Sequence, residues 1–378
     1  MRGTLGALSL TALLLLTGCS QLPEQSARAQ SSGLSSASAQ QLGTIRISSG
    51  LTPETRQAAY LYQAALKEAG YQVQVLEAPA SRSAYLQAMG LDSSSPLEGQ
   101  ATAPAGGEED LIDITPDLSG DLLLYLTDNG KVSPTTLEEQ RQASASPGSS
   151  SSSEASPSPA ASASSSSPSS SPSPSSSPSG LNVRGLSSSD IISYLDRALP
   201  DQAQLLSPSA ASNRYGFAIT QATAAKYEIE SMADLAAHCP SLTLTAPASF
   251  VSQPNGLSAL EESYACQLKD IGQSQSAQEQ ASQLIRAEKD LAYIYSASSQ
   301  IQAQNLLFLD DPNRTQLEQK IIPITRSGSL PQEVRTIIDG VSSKLDSDSL
   351  IQLNSLTTGQ EALSPEEAAQ FWLTQHRK

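Results

Sequence analysis

Cysteine, histidine and large aromatic residues are scarce in this chain: among 378 residues there are three Cys, two His, one Trp and four Phe. So few histidines and cysteines exclude most metal centres and most Cys/His or Ser/His catalysis. His238 has Cys239 beside it but no second His or carboxylate at ligand spacing, and His376 lies among the last three residues. The chain has no Gly-rich phosphate loop, no Gly-x-Ser-x-Gly and no Ser-x-x-Lys with partners. Neither an enzyme nor a metal or cofactor site is therefore expected. Positive charge is also short, with 22 Lys and Arg against 38 Asp and Glu and a net charge of −16, and no basic cluster occurs. That excludes nucleic acid as a partner and excludes docking on an anionic lipid surface through protein charge.

Long apolar runs are absent too. The longest, Leu5–Leu16, is well short of the roughly 20 residues a spanning helix needs. It follows Arg2 and ends in Leu16-Thr17-Gly18-Cys19, which has the Leu-x-Gly-Cys form of a bacterial lipobox. This is the layout of an export signal, residues 1–18, cut before a cysteine whose sulfur takes a diacylglycerol. The expectation is a mature chain beginning at Cys19 and lipid-anchored to the extracytoplasmic face of the cell membrane. An ordinary secretory signal that happens to contain Cys is the alternative.

Residues 19–42 are small and polar and read as a flexible tether. From 143 to 180 the chain is almost entirely Ser, Pro and Ala, without apolar periodicity, so no packed core can offset the entropy of ordering it. With Cys19 lipidated, Cys239 and Cys266 remain, 27 positions apart. Outside the cytoplasm such a pair becomes a disulfide, and two unrelated buried thiols are the other reading.

The rest alternates strand and helix patterns. The short strand Thr44–Ser48 is followed by Thr52 as helix cap, Pro53 at the first helical position and an apolar stripe through Ala59, Leu61, Tyr62, Ala65 and Leu66. "YQVQVLEA" alternates as a strand, completing a β-α-β unit with parallel pairing. Later strands are expected at "DLIDITP", "RYGFAITQ", "SLTLTAP", "LAYIYSA", "LLFLDD" and "KIIPITRS", with helices between them and two helices closing the chain around "LPQEVRTIIDGVSSKL" and "SPEEAAQFWLTQH". This is the pattern of an α/β protein.

Several segments resemble, in the same order, the substrate-binding lipoproteins of bacterial ABC importers for glycine betaine, carnitine and choline. They are "TIRISSGLTPETRQAAYLYQAALKEAGYQV", "ASRSAYLQAM", "LIDITPDLSGDLLLYL", "NRYGFAIT", "PASFVSQPNGLSALEESYAC", "DLAYIYSASSQIQAQNLLFLDD" and "SPEEAAQFWL". The resemblance implies a two-lobe type II periplasmic-binding-protein fold with two crossover strands. The first lobe would hold 43–212 and 312–378, with the Ser/Pro tract as a surface insert, and the second 213–311. The implied function is that of a solute-binding protein that closes on a small polar ligand, a quaternary amine such as choline or betaine, and hands it to ABC permease subunits. The alternative is a surface lipoprotein that uses the scaffold for an adhesive or cell-wall role.

In that family aromatic rings hold the trimethylammonium, which cannot donate a hydrogen bond and is recognised by π-faces. The resemblance places Tyr215, Tyr295 and, two residues earlier on the same strand face, Tyr293 at the ligand. Four family positions differ. Leu118 stands where an aromatic is found in Pro-Glu-Tyr-Thr-Gly. Ser48-Ser49-Gly50 replaces Gly-Ser-Lys, with Ser49 as the expected ligand neighbour. Gln253 replaces an Arg, and Ala297-Ser298 replaces Thr-Asp. With two cations missing, a betaine carboxylate lacks its charge-assisted partners, and choline or another carboxylate-free solute is favoured.

Overall fold

The computed structural model describes residues 43–77, 79–91, 111–133, 136, 180–359 and 361–376. Cys19, the export signal, the tether and the Ser/Pro tract before Gly180 lie outside the described residues. Among the described residues no helix is long and apolar enough to cross a membrane.

The described residues form two five-stranded mixed sheets. The first is built from β1 (Thr44–Ser48), β2 (Gln72–Leu76), β3 (Ile114–Leu118), β4 (Ala203–Leu205) and β10 (Ile321–Arg326), in the order β2-β1-β3-β10-β4. The second contains β5 (Tyr215–Thr220), β6 (Thr243–Ala246), β7 (Asp270–Gln273), β8 (Leu291–Tyr295) and β9 (Leu306–Phe308), in the order β7-β6-β8-β5-β9. β1 pairs in parallel with β2 and β3, and β6 with β7 and β8. The strands that enter each sheet after a crossover, β10 and β5, run antiparallel to their neighbours.

The local signals explain the first β-α-β unit. Thr52 caps the Pro53–Glu68 helix in a reciprocal box with Thr55, Pro53 occupies the first turn, and Lys67 sits in the last. The helix buries Ala58, Leu61, Tyr62 and Leu66 against the first sheet. Each fully buried large side chain contributes roughly 1.5–3 kcal/mol. The Tyr62 hydroxyl lies 2.9 Å from Ser342 Oγ, so its polar end is not orphaned. Trp372, on the closing Pro365–Gln375 helix, fills the far side of the same core.

In the second lobe Cys239 follows the Met232–Leu235 helix and Cys266 follows the Leu257–Tyr264 helix. Both are fully buried, and they are joined by a disulfide with a Cα–Cα distance of 5.3 Å. The reading of two unrelated thiols is thereby excluded.

Candidate functional site

The site begins at the turn between β1 and its helix. Gly50 takes φ +71°, and a Cβ there would fall 2.8 Å from the Pro116 carbonyl oxygen and collide with the Thr55 side chain. No side chain fits at this position, which gives the missing cation of the Ser48-Ser49-Gly50 segment a steric reason. The turn delivers Glu54 at the second position of the Pro53–Glu68 helix, where the helix dipole favours an acid. Glu54 is nonetheless only 4% exposed, and its Oε2 accepts no hydrogen bond. Burial raises its pKa above the usual carboxylate value; its own backbone, Thr52 and Asn354 offset part of this, and Asp121 adds to the rise.

Across from Glu54, β5 and β8 pair with Tyr215 directly opposite Tyr295, and Tyr293 shares the face of Tyr295. The Tyr215 ring stacks on Tyr295 with centroids 3.7 Å apart and on Tyr293 with centroids 4.7 Å apart. Burial drives the pKa of all three hydroxyls upward. Tyr293 donates to Gln316 Oε1 at 2.5 Å. Tyr295 donates to Asp121 Oδ2 at 3.0 Å, reaching from the second lobe to the Ser119–Leu126 helix of the first.

Asp121 belongs to a buried charge cluster. Gln319 Nε2 donates to its other oxygen at 2.7 Å, and Arg82 Nη2 lies 3.7 Å away. Burial raises the Asp121 pKa, while Arg82 and Gln319 pull it down. Arg82 itself is committed to Asp117, donating through Nε at 2.7 Å and Nη2 at 2.8 Å, and Tyr85 donates to the same carboxylate at 2.6 Å. Burial opposes the charged guanidinium, but the two aspartates outweigh it and hold its pKa above the ordinary value. Arg82 is thus a structural counter-ion and not a free cation for a ligand.

Between the lobes lies a cavity of about 470 Å³. Its first-lobe wall includes Glu54, Gln57, Asn354 and Thr357, and its second-lobe wall includes Tyr215, Tyr293, Tyr295 and Gln280. The charged residues on this lining are the buried Glu54 and the exposed Arg56. The three tyrosines named from sequence therefore meet at one cleft. Ser49, Leu118 and Gln253 do not border it. Leu118 is fully buried in the first core because every residue of β3 is covered. Ser49 is buried where its N–H extends the β1–β2 pairing to the Leu76 carbonyl. Gln253 ends the Ser249–Ser252 helix, with its N–H donating to the Ser249 carbonyl.

Glu54, Gln57, Asn354 and Asp121 escaped the sequence reading. Glu54 lies in the capped first turn, a visible signal. Asn354 lies on the Ser347–Leu356 helix, which apolar periodicity did not announce.

Residues 176–375 match the OpuAC family, the substrate-binding domain of ABC-type glycine betaine transport systems. The chain belongs to that family, whose members bind solute outside the cytoplasm for an importer and are not enzymes. Among solved structures, a glycine betaine/carnitine/choline ABC transporter protein is similar at 16% identity, over 88% of this chain and 98% of that one, with a TM-score of 0.58. YehZ from Escherichia coli in its apo form is similar at 16% identity, over 88% of this chain and 99% of that one, with a TM-score of 0.54. The fold is that of the type II periplasmic binding proteins. No curated protein matches this chain by sequence.

Proposed function

We propose that this chain is the lipid-anchored receptor of an ABC importer and that its inter-lobe cleft holds a small organic cation. The observation that carries the cation reading is Glu54, a carboxylate buried in a cavity whose opposite wall is the tyrosine group Tyr215, Tyr293 and Tyr295. A buried carboxylate is costly to hold charged, and a cation seated beside it offsets that cost. A betaine carboxylate would face Glu54 without a buried cation of its own, so choline fits this cleft better than glycine betaine. Two lobes are assigned, 43–212 with 312–378 and 213–311, and ligand binding is hinge closure between them. Anchoring is assigned to Cys19 on the Leu-x-Gly-Cys segment.

The test is a thermal-shift screen followed by calorimetric titration with choline, carnitine, glycine betaine and organic cations without methyl groups on nitrogen. Saturable binding by a cation and none by uncharged osmolytes is expected. Binding of glycine betaine more tightly than any cation would refute the reading.

A further inference from the structure

Away from the cavity, a short segment of the first lobe grips the second. Residues 181–184 alternate between buried and more exposed. Leu181 and Val183 enter the first-lobe core beside Leu122 and Ile324, while Asn182 and Arg184 face outward. The backbone is held on both sides: the Leu181 N–H donates to the Val132 carbonyl at 3.1 Å, and the Gly185 N–H to the Arg314 carbonyl at 3.0 Å. Arg184 therefore projects from an anchored base.

All three nitrogens of its guanidinium donate to the second lobe. Nε donates to the Pro254 carbonyl at 2.8 Å, Nη2 to Ser258 Oγ at 3.2 Å and Nη1 to Glu262 Oε2 at 2.8 Å. Ser258 and Glu262, four apart, share one face of the Leu257–Tyr264 helix, and Ser258 Oγ also donates to the Pro254 carbonyl at 3.3 Å. That helix is fixed in its own lobe, through Leu260 and Tyr264 in the core and through the disulfide of Cys266 just beyond its end. A planar fork with five donors is suited to several acceptors at once, and a lysine could not reproduce it.

The cavity is lined by neither Arg184 nor its three partners. The bonds that cross between the lobes beside the cavity are others, from Tyr295 to Asp121 at 3.0 Å and between Ser299 and Thr358 at 3.2 Å. The Arg184 contact shares no residue with them. A solute in the cavity thus acts on one set of contacts, and Arg184 holds the same two lobes through another.

We propose that Arg184 is a positioning residue for solute binding: a clamp outside the cavity that holds the two lobes in the closed arrangement whether or not solute is present. This rests on the two lobes and the hinge closure assigned above, and not on the identity of the solute. The clamp lowers the part of the binding energy that a solute must spend on closure, so its loss weakens every solute by the same factor.

The experiment counts closed and open molecules by single-molecule energy transfer in solute-free protein, with fluorophores at the exposed positions Ile285 and Phe371. Glu262 is 66% exposed, so its ion pair adds little, and the bonds to Pro254 and Ser258 set the effect. Arg184→Ala is expected to lower the ratio of closed to open protein by about tenfold, and Arg184→Lys by less. The same factor is expected on a Tyr295→Phe background, because the two contacts share no residue. Melting curves check that each variant is folded. An Arg184→Ala protein with the parent ratio on both backgrounds overturns the clamp, even where its melting temperature falls, since the contact would then persist in both states. A single separation in every protein, Tyr295→Phe included, overturns hinge closure itself and the clamp with it.

Discussion

Tyr295→Phe removes the hydrogen bond by which the aromatic wall reaches Asp121 of the first lobe. The substitution keeps the ring and its stack on Tyr215 but removes the hydroxyl that donates to Asp121 Oδ2 at 3.0 Å. A hydrogen bond to a charged acceptor is worth about 1.5–3 kcal/mol, which corresponds to about 10- to 150-fold in an equilibrium constant. Asp121 keeps Gln319 at 2.7 Å and Arg82 at 3.7 Å, so it is not orphaned by the change. The lower end of the range therefore applies, about tenfold in the ratio of closed to open protein. Where binding requires closure, apparent affinity falls by up to the same factor. Tyr295→Ala also removes the ring and costs about 0.5–1.5 kcal/mol more in lost stacking. Fluorophores at the exposed positions Ile285 in the second lobe and Phe371 in the first report closure by energy transfer, and titration reports affinity. The order wild type, Tyr295→Phe, Tyr295→Ala is expected in both. A Tyr295→Phe protein with wild-type closure and affinity would refute the assignment of this bond to the closed state. A Phe variant as weak as the Ala variant would show that the ring contributes nothing.

The other predictions concern stability, acidity and location. Replacing Cys239 and Cys266 together by Ala frees a 27-residue loop and is expected to cost about 3–4 kcal/mol. Calorimetry should then show the second lobe melting about 10 °C or more lower, as should reduction of the native protein; an unchanged melting temperature would contradict it. Burial raises the folded-state pKa of Glu54 and Asp121, so their favourable contribution is full below the unfolded value and is lost as pH rises through the folded value. Glu54→Gln should therefore raise the melting temperature of ligand-free protein at pH 7 but not near pH 4, and a lower melting temperature at pH 7 would count against this. Cation affinity, conversely, should weaken on acidification at a pH above the ordinary carboxylate range, as titrations between pH 4 and 8 would show. Cys19→Ala should release the protein from the membrane or leave its signal uncut; normal processing with full membrane retention would count against a lipid anchor.

Much of the fold was legible because its signals are local. Thr52 and Pro53 announce a helix start by their own chemistry, and the alternation of "QVQVL" announces a strand. The disulfide followed from counting, since two cysteines remain once Cys19 is set aside. Elements stabilised chiefly by their neighbours were not legible. β7 reads Asp-Ile-Gly-Gln, poor in β-formers, and exists because it pairs along the whole of β6. The Ser347–Leu356 helix is rich in Ser, Asp and Asn, and it packs against the Pro53–Glu68 helix through Leu350 and Leu353.

At the cleft the division is sharper. The alternation of β8 by itself determined that Tyr293 and Tyr295 share a face, because side chains on a strand repeat every second residue. Only the tertiary structure decided that Tyr215 would stack on both, that Arg82 would be consumed by Asp117, and that Glu54 would be buried with a free oxygen. The Tyr295–Asp121 bond joins residues 174 positions apart, and Glu54 is buried beside Asn354 and Asp121, both remote from it in the chain. A helix start is set by the few residues around it, whereas the charge, donors and open ring faces of a binding site depend on which distant surfaces exclude water together.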